Sequence, residues 1–325
     1  MPQALFVHIM FKPLYRSFIS TCQHRSFTTS TLNNKKKQSF PVATTTAAIL
    51  ATACLGYYGW QYFENKGPKA LNPDRYIPFD LVQKQKISPD SYRLRVSIKQ
   101  EENKSYPIPS CLYIKDDTIQ VMRPYTPINA NPYKDGYIDF IVKRYENGSV
   151  SRTISGFEPQ VDQVHIRGPM AEEYEYRENS LDEIGMIAGG TGISPMYQII
   201  RHILENPNDK NTRIWLIYGN KTMSDILLKS ELDELQKKYS DRLNIKYVLE
   251  HPPDDNWKDV GYVTKEMIKS MMSQDENIRR KVFVCGPDPM LRWVSGERAI
   301  DYSQGQLSGL LSQLGLSSKE VWKFQ

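Results

Sequence analysis

An arginine, a tyrosine and a threonine stand close together in the segment Arg123-Pro124-Tyr125-Thr126. Arginine binds phosphate through paired hydrogen bonds, tyrosine offers a flat ring, and threonine adds a hydroxyl group beside it. The segment follows a predicted strand, and Pro124 within it and Pro127 directly after it restrict the backbone. These residue types suit a phosphate-bearing ligand, although an ordinary strand end followed by a turn has the same composition and stays open as an alternative.

A second candidate runs from Val142 to Ser151 and brings a predicted strand into a turn at Gly148. A glycine there permits close approach to the backbone, and the amides of such a turn can hold a phosphate. A plain hairpin turn built on Asn147 and Gly148 is the alternative.

The segment Gly189-Gly190-Thr191-Gly192, which continues to Pro195, lies between a predicted strand and a predicted helix. Uncovered amides and the partial positive charge of a helix N-terminus make such a turn an anion site. Glycine-rich turns also occur for packing alone, but the strand-to-helix context and the threonine favour a nucleotide.

Cys285, Gly286 and Pro287 end the last predicted strand of the chain. Ligands of parallel sheets bind at the carboxyl ends of the strands, which places these residues at the predicted ligand edge. A single cysteine on a strand is more often a small buried apolar residue, so only its combination with the other segments indicates function.

Two kinds of predicted secondary structure must position these segments. Up to about residue 170 the chain predicts short strands at close spacing, with no convincing helix between them, as in an antiparallel barrel. From Ile184 onward, strands and helices alternate, which predicts a parallel sheet. The predicted strands are Phe79–Lys86, Tyr92–Ile98, Ile119–Arg123, Tyr137–Lys143 and Gln163–Arg167, then 185–189, 214–219, 244–250 and 282–286, with helices at Pro195–Glu205, Ser224–Lys238 and Thr264–Met272.

Charge and metal-ligating residues exclude several classes of protein. The first 63 residues hold six basic and no acidic residues, and the remainder is balanced to within one charge, which argues against nucleic-acid binding. The four cysteines and five histidines form no cluster, so we expect no metal site, and electron transfer would need an organic cofactor.

The N-terminal region has the composition of a targeting sequence followed by a transmembrane segment. Residues 1–39 are basic, rich in serine and threonine and free of acids, which predicts a mitochondrial transit segment. Residues 40–62 are uncharged over about the 20 residues that a membrane helix needs, with aromatic residues at the end, and 63–77 form a linker. The three lysines at 35–37 would stay in the matrix, which directs the folded part to the intermembrane space.

The four segments, in this order and spacing, resemble the NADH–cytochrome b5 reductase branch of the ferredoxin–NADP reductase superfamily. The resemblance implies a six-stranded antiparallel FAD-binding barrel over residues 78–176 and a parallel-sheet NADH-binding α/β domain over 177–325, behind one transmembrane helix.

Residue roles follow from the resemblance alone. It implies that Arg123 and Pro124 lie at the FAD phosphates, with Tyr125 and Thr126 against the flavin, and that Thr126 and Cys285 are the catalytic pair. The other implied cofactor residues are Lys143, Tyr145, Gly148, Ser149, Val150 and Ser151 on the FAD side, and Gly190, Thr191, Gly192, Pro195, Asp225, Cys285, Gly286 and Pro287 on the NADH side, with Asp225 favouring NADH over NADPH.

The implied reaction is hydride transfer from NADH to FAD, followed by single-electron transfer to a haem protein. Cytochrome b5 is the expected acceptor. An FAD oxidoreductase that assists haem attachment to mitochondrial cytochrome c is the alternative, because Pro107–Gln120 is short and lacks the family's usual strand before the arginine motif. A membrane-tethered assembly factor with little turnover is a third possibility.

Overall fold

The computed structural model describes residues 68–116, 120–171, 174–275 and 277–324, together with the single positions Thr52 and Gly56. The chain divides into two compact units, Met1–Asn65 and Lys66–Gln325, and every element below belongs to the second. The predicted transit segment, and all of the predicted anchor except those two positions, lie outside the described residues. No helix within the described ranges combines the length and the apolar character that a membrane crossing needs.

Six strands form an antiparallel sheet in the order β4-β3-β6-β1-β2-β5. Strand β1 joins its two halves, because Ile77–Asp80 pair with β6 and Leu81–Lys86 pair with β2 across a bulge. Alternate side chains such as Leu94 and Val96 point into the core, as a sheet with one buried face requires. The strands are β1 Ile77–Lys86, β2 Ser91–Ser97, β3 Ser110–Asp116, β4 Val121–Tyr125, β5 Tyr137–Lys143 and β6 Gln163–Ala171.

Two expectations about this half of the fold are wrong. The segment thought to lack a strand holds β3, where Leu112 and Ile114 are buried and Cys111, Tyr113 and Lys115 are half-buried. Flanking prolines and aspartates obscured this short alternation in the sequence. The half also contains helices, α1 Pro132–Asp135 and α2 Ser149–Gly156, which are too short to show a helical period. The predicted strand Ile119–Arg123 lies two residues later, as β4.

Five parallel strands form the second sheet, in the order β11-β10-β7-β8-β9. Strand β7 lies at its centre and is buried along its whole length, as expected for a strand covered on both faces. The strands are β7 Glu183–Gly189, β8 Arg213–Asn220, β9 Leu243–Leu249, β10 Arg280–Cys285 and β11 Val321–Lys323, with helices α3 Ile193–Leu204, α4 Lys229–Lys238, α5 Lys265–Met271, α6 Asp288–Val294 and α7 Gly309–Gln313.

The predicted alternation of strands and helices is confirmed here, with one boundary misplaced. The helix predicted from Ser224 begins only at Lys229, because Leu228 has a positive φ of 56° that a continuous helix excludes. A short 3-10 turn, Met223–Asp225, takes the place of the first predicted turn.

Polar contacts join the two halves of the fold, and those of Gln198 are buried. Gln198 of α3 donates from Nε2 to the carbonyl oxygen of Pro127 at 3.2 Å and accepts from the amide of Ser110 at 3.3 Å. Arg93 of β2 lies 3.6 Å from Glu231 of α4. The loop after β4 is therefore held directly against the first helix of the parallel sheet. The domain boundary predicted between residues 176 and 177 falls between β6 and β7 and stays a prediction.

Candidate active site

Strand β4 presents Arg123 and Tyr125 on one face, opposite Ile114 and Leu112 of β3. The Arg123 side chain is exposed, donates to the carbonyl oxygen of Met122 at 2.8 Å, and takes part in none of the ion pairs between described residues. Most of its donors therefore remain free for an anion. Thr126 follows, half-buried, where the strand ends.

The Tyr125 ring is largely covered and lies edge-on to Phe140, with the ring centroids 6.3 Å apart. Burial raises the pKa of the Tyr125 hydroxyl above its ordinary value, and the neighbouring Tyr145 adds to the shift. The hydroxyl therefore stays protonated at neutral pH. Tyr145 itself is 52% exposed, so its ring is available to a ligand.

Gly148 caps the N-terminus of α2, and the alternative of a plain hairpin turn is wrong. A side chain at Gly148 would collide with the Ser151 hydroxyl, because a Cβ there would lie 2.3 Å from Oγ. The helix has no capping side chain and no acidic residue in its first turn. The amides of Ser149, Val150 and Ser151 are thus left without a capping side chain, which is the arrangement that suits an anion at a helix N-terminus.

Lys143 ends β5 between two carboxylates. Its Nζ lies 3.0 Å from Oδ2 of Asp90 and 3.9 Å from Oδ1 of Asp225 in the parallel-sheet half. Burial raises the pKa of Asp90, but the hydrogen bond and charge of Lys143 outweigh it and leave that pKa below its usual value. The Asp90 carboxylate is therefore ionised at neutral pH, and Lys143 bridges the two halves through Asp90 and Asp225.

The glycine loop after β7 is shaped by a close approach of two backbones. Gly190 has a φ of 53°, and the 3-10 turn Gly190–Gly192 leads directly into α3. A Cβ on Gly192 would lie 2.2 Å from the carbonyl oxygen of Cys285. Only glycine lets the loop pass this close to the end of β10. Helix α3 has neither a capping side chain nor an acid in its first turn, and its Pro195 is buried.

Cys285 ends β10 and is paired in register with Ala188 of β7. The cysteine is buried, while Gly286 is half-buried and Pro287 is exposed and caps α6. Cys285 therefore stands at the carboxyl edge of the sheet, directly against the Gly190–Gly192 loop. The structure brings these two predicted segments together.

The Asp225 carboxylate has a structural task that the sequence did not reveal. Its Oδ2 accepts from the amide of Thr222 at 3.0 Å and from the Thr222 hydroxyl at 2.7 Å, which closes a capping box around the turn Met223–Asp225. The second oxygen, Oδ1, faces Lys143.

Sequence reasoning missed Gln198. This residue is fully buried, yet it lies in an otherwise apolar stretch of α3 and bridges both halves of the fold. A polar residue within such a stretch was the available signal, because buried polar groups are kept where they have partners.

Known proteins share both halves of this fold. A family described as "Oxidoreductase FAD-binding domain" matches residues 78–176, and one described as "Oxidoreductase NAD-binding domain" matches residues 186–296. NADH-cytochrome b5 reductase 2 of Kluyveromyces lactis is 37% identical over 282 residues, which cover 86% of this chain and 94% of that relative. The NADH-cytochrome b5 reductase-like protein of Arabidopsis thaliana is 38% identical over 273 residues, which cover 80% of each chain. The cytochrome b5 reductase domain of Ulva prolifera nitrate reductase superposes with a TM-score of 0.67 at 30% identity, covering 79% of this chain and all of that one.

The free Arg123 guanidinium, the open end of α2 and the cradle at Gly148 fit the phosphates of FAD, and the glycine loop with α3 fits a second nucleotide. Such an arrangement defines an NADH-dependent flavin oxidoreductase, with FAD as its cofactor and NADH as its substrate. The chain belongs to the NADH–cytochrome b5 reductase family.

Proposed function

We propose that this chain is a membrane-anchored mitochondrial reductase that takes a hydride from NADH and passes single electrons to cytochrome b5. One observation carries the arrangement of the site. Gln198 donates to the carbonyl of Pro127, directly after Thr126, while Gly192, which caps the helix that holds Gln198, lies against Cys285. The two ends expected to carry the reacting rings are thus tied to one helix.

On the flavin side, two groups bind the phosphates of FAD. One is the Arg123 guanidinium, and the other is the N-terminus of α2. The exposed guanidinium and the uncapped amides of Ser149, Val150 and Ser151 support this role. Gly148 has no side chain that would block the phosphate from reaching these amides. Tyr125 and Thr126 contact the flavin, and Pro124 fixes the strand between them.

On the nicotinamide side, the loop Gly190-Thr191-Gly192 and the start of α3 up to Pro195 hold the pyrophosphate of NADH. Cys285, Gly286 and Pro287 border the nicotinamide, and Lys143 and Tyr145 close the site from the flavin side. Asp225 disfavours NADPH, because its carboxylate repels the 2′-phosphate that NADPH carries on the adenosine ribose.

The bound flavin supplies the chemistry, since it accepts a hydride and gives up electrons one at a time. The residues of this chain bind, orient and exclude water. Hydride transfer requires the two rings at near-attack distance, which the bridge from Gln198 to the loop after Thr126 maintains. The buried Cys285 keeps water from the nicotinamide side of the site.

Cytochrome b5 is proposed as the acceptor because the relatives carry that acceptor in their names. The alternative is an FAD oxidoreductase for haem attachment to mitochondrial cytochrome c. Three segments suggested this alternative: Pro107–Gln120, Lys143–Gly148 and Gly305–Leu311. Only the first is weakened by the structure, because the strand it was expected to lack is present as β3.

The proposed location rests on the sequence of residues 1–62. Their basic, acid-free start and uncharged stretch support import and anchoring, with the folded part in the intermembrane space. Protease protection of isolated mitochondria, before and after rupture of the outer membrane, tests this side of the proposal.

The acceptor is tested with the full-length protein, loaded with FAD and purified in detergent. NADH is supplied in excess, and the reduction of cytochrome b5 and of ferricytochrome c is recorded in separate cuvettes. Rapid reduction of cytochrome b5 supports the proposal. Flavin reduction by NADH without electron transfer to cytochrome b5 contradicts it and favours the haem-attachment alternative, and failure of the flavin to turn over favours the assembly factor.

A further inference from the structure

Asn220, the last residue of β8, is a buried side chain whose polar atoms form no hydrogen bond of ordinary geometry with the described residues. It is only 8% exposed, and neither Nδ2 nor Oδ1 has a hydrogen-bond partner among the described residues. Buried carboxamides are normally paired, because burial removes their hydrogen bonds to water. An unpaired one at the ligand edge of a parallel sheet indicates a position that a ligand completes.

The side chain is directed toward the glycine loop. Side chains two residues apart on a strand share a face, so Asn220 lies on the face of Tyr218, whose hydroxyl donates to the carbonyl oxygen of Gly190 at 2.8 Å. The backbone of Asn220 is fixed, since its carbonyl accepts from the amide of Glu250 at 3.1 Å. The carboxamide therefore lies on the strand face from which Tyr218 reaches the Gly190 loop.

Asp225 lies near the same point. Burial raises the pKa of the Tyr218 hydroxyl, the Asn220 side chain opposes this shift, and the charge of Asp225 adds to it. Along the chain, Asn220 lies between the Gly190 loop, proposed for the pyrophosphate, and Asp225, the acid proposed to select the ribose.

The chemistry of the carboxamide selects the ligand group. Nδ2 donates and Oδ1 accepts, and both are unpaired. A phosphate only accepts and satisfies one of them, whereas a ribose diol both donates and accepts. We infer that Asn220 binds the hydroxyl groups of the adenosine ribose of NADH. This inference rests on the proposed role of the Gly190–Gly192 loop in NADH binding.

A purely structural role predicts different behaviour. If Asn220 served to hold Tyr218, its replacement would destabilise the protein without ligand. If it serves a ligand, a leucine of similar size removes an unpaired polar group, and the unliganded protein keeps or gains thermal stability. The ligand then stabilises the variant less than the wild type.

The test compares wild type with Asn220→Leu as full-length, FAD-loaded proteins, and uses ADP-ribose and its 2′-deoxyadenosine analogue as probes. Calorimetric titration gives both affinities, and thermal unfolding gives the Tm with and without each probe. Asn244→Leu is the matched control, because Asn244 is an exposed asparagine near the opposite end of the neighbouring strand β9.

We expect Asn220→Leu to bind ADP-ribose about tenfold or more weakly, a loss that corresponds to about one hydrogen-bonded pair. The preference for ADP-ribose over the deoxy analogue should shrink in the variant, while its FAD content and unliganded Tm stay at or above wild type. Asn244→Leu should match wild type throughout. If Asn220→Leu does not fold, Asn220→Ser replaces it, with the same expected direction.

Unchanged ADP-ribose affinity in a folded, FAD-loaded variant overturns the ribose assignment and leaves the proposed function intact. A lower unliganded Tm with unchanged affinity overturns it in favour of the structural role. Wild type that fails to bind ADP-ribose overturns the proposed NADH loop itself, and the assignment with it.

Discussion

The side-chain amide of Gln198 donates a 3.2 Å hydrogen bond to the carbonyl oxygen of Pro127, across the interface between the two sheets. Its oxygen accepts from the amide of Ser110, so one side chain satisfies two buried backbone groups of the antiparallel half. The flavin motif ends one residue before Pro127. The position of that motif relative to the NADH half therefore depends on this contact.

Replacement of Gln198 by leucine should destabilise the protein and slow hydride transfer while FAD stays bound. Two backbone groups lose their partners, and each costs about 1–3 kcal/mol when buried unsatisfied. Chemical unfolding measures the first effect, and stopped-flow bleaching of the flavin by NADH measures the second. Arg201→Ala, in the exposed Arg201–Glu205 pair one turn along α3, is the control and should change stability by less than about 1 kcal/mol. Equal behaviour of the two variants would show that the bridge does not position the motif.

Gly148→Ala should weaken FAD binding strongly. The new Cβ would lie 2.3 Å from Oγ of Ser151 and displace the first turn of α2, where we place the phosphate. The FAD dissociation constant, measured by flavin fluorescence on reconstitution, checks this expectation. Gly156→Ala, at the other end of the same helix, meets nothing within 4 Å and should leave the constant unchanged. Undiminished FAD affinity in Gly148→Ala would remove α2 from the site.

Asp225→Asn should narrow the preference for NADH over NADPH. The substitution removes the charge that opposes a 2′-phosphate but keeps an oxygen able to accept from the amide of Thr222. Asp225→Ser removes both the charge and the capping box. It should narrow the preference for NADH over NADPH and also lower the free energy of unfolding by about 1 kcal/mol. The ratio of kcat/KM for the two nucleotides is the measurement. An unchanged ratio in both variants would place the ribose contact elsewhere.

Protonation of His202 should lower the free energy of unfolding in mild acid. The ring packs edge-on against Tyr176, and burial lowers the pKa of His202 while Asp209 and Glu178 oppose the shift. Because the folded pKa lies below the unfolded value of about 6.5, the unfolded chain binds more protons, and stability falls as pH drops through that value. Denaturant midpoints at pH 7.5 and 5.5 measure the difference, and it should shrink in His202→Phe. A difference that persists unchanged in the variant would assign the effect to other groups.

The sequence predicted the elements that local patterns encode. Glycines at 148, 189, 190 and 192 punctuated the chain where backbone must approach a ligand or another strand, and β7 was visible because a buried parallel strand is a continuous apolar run. Helix α2 was not visible, since eight residues with two apolar positions facing the core give too little periodicity.

Contacts between distant residues could not be predicted in this way. Gln198 meets Ser110 across 88 positions of sequence, and Asn220 is distinctive only because folding leaves both of its polar atoms unpaired. Asp225 also caps the turn Met223–Asp225, and this role depends on where β8 ends. Such roles follow from where the backbone places a residue, which residue type and spacing do not contain.

The most direct test of the central claim is anaerobic titration of the full-length protein with NADH, followed through its visible flavin spectrum. We expect a yellow protein with one FAD per chain, bleached by about one equivalent of NADH and far more slowly by NADPH. A protein that cannot be loaded with FAD, or whose bound flavin is not bleached by NADH, would contradict that claim.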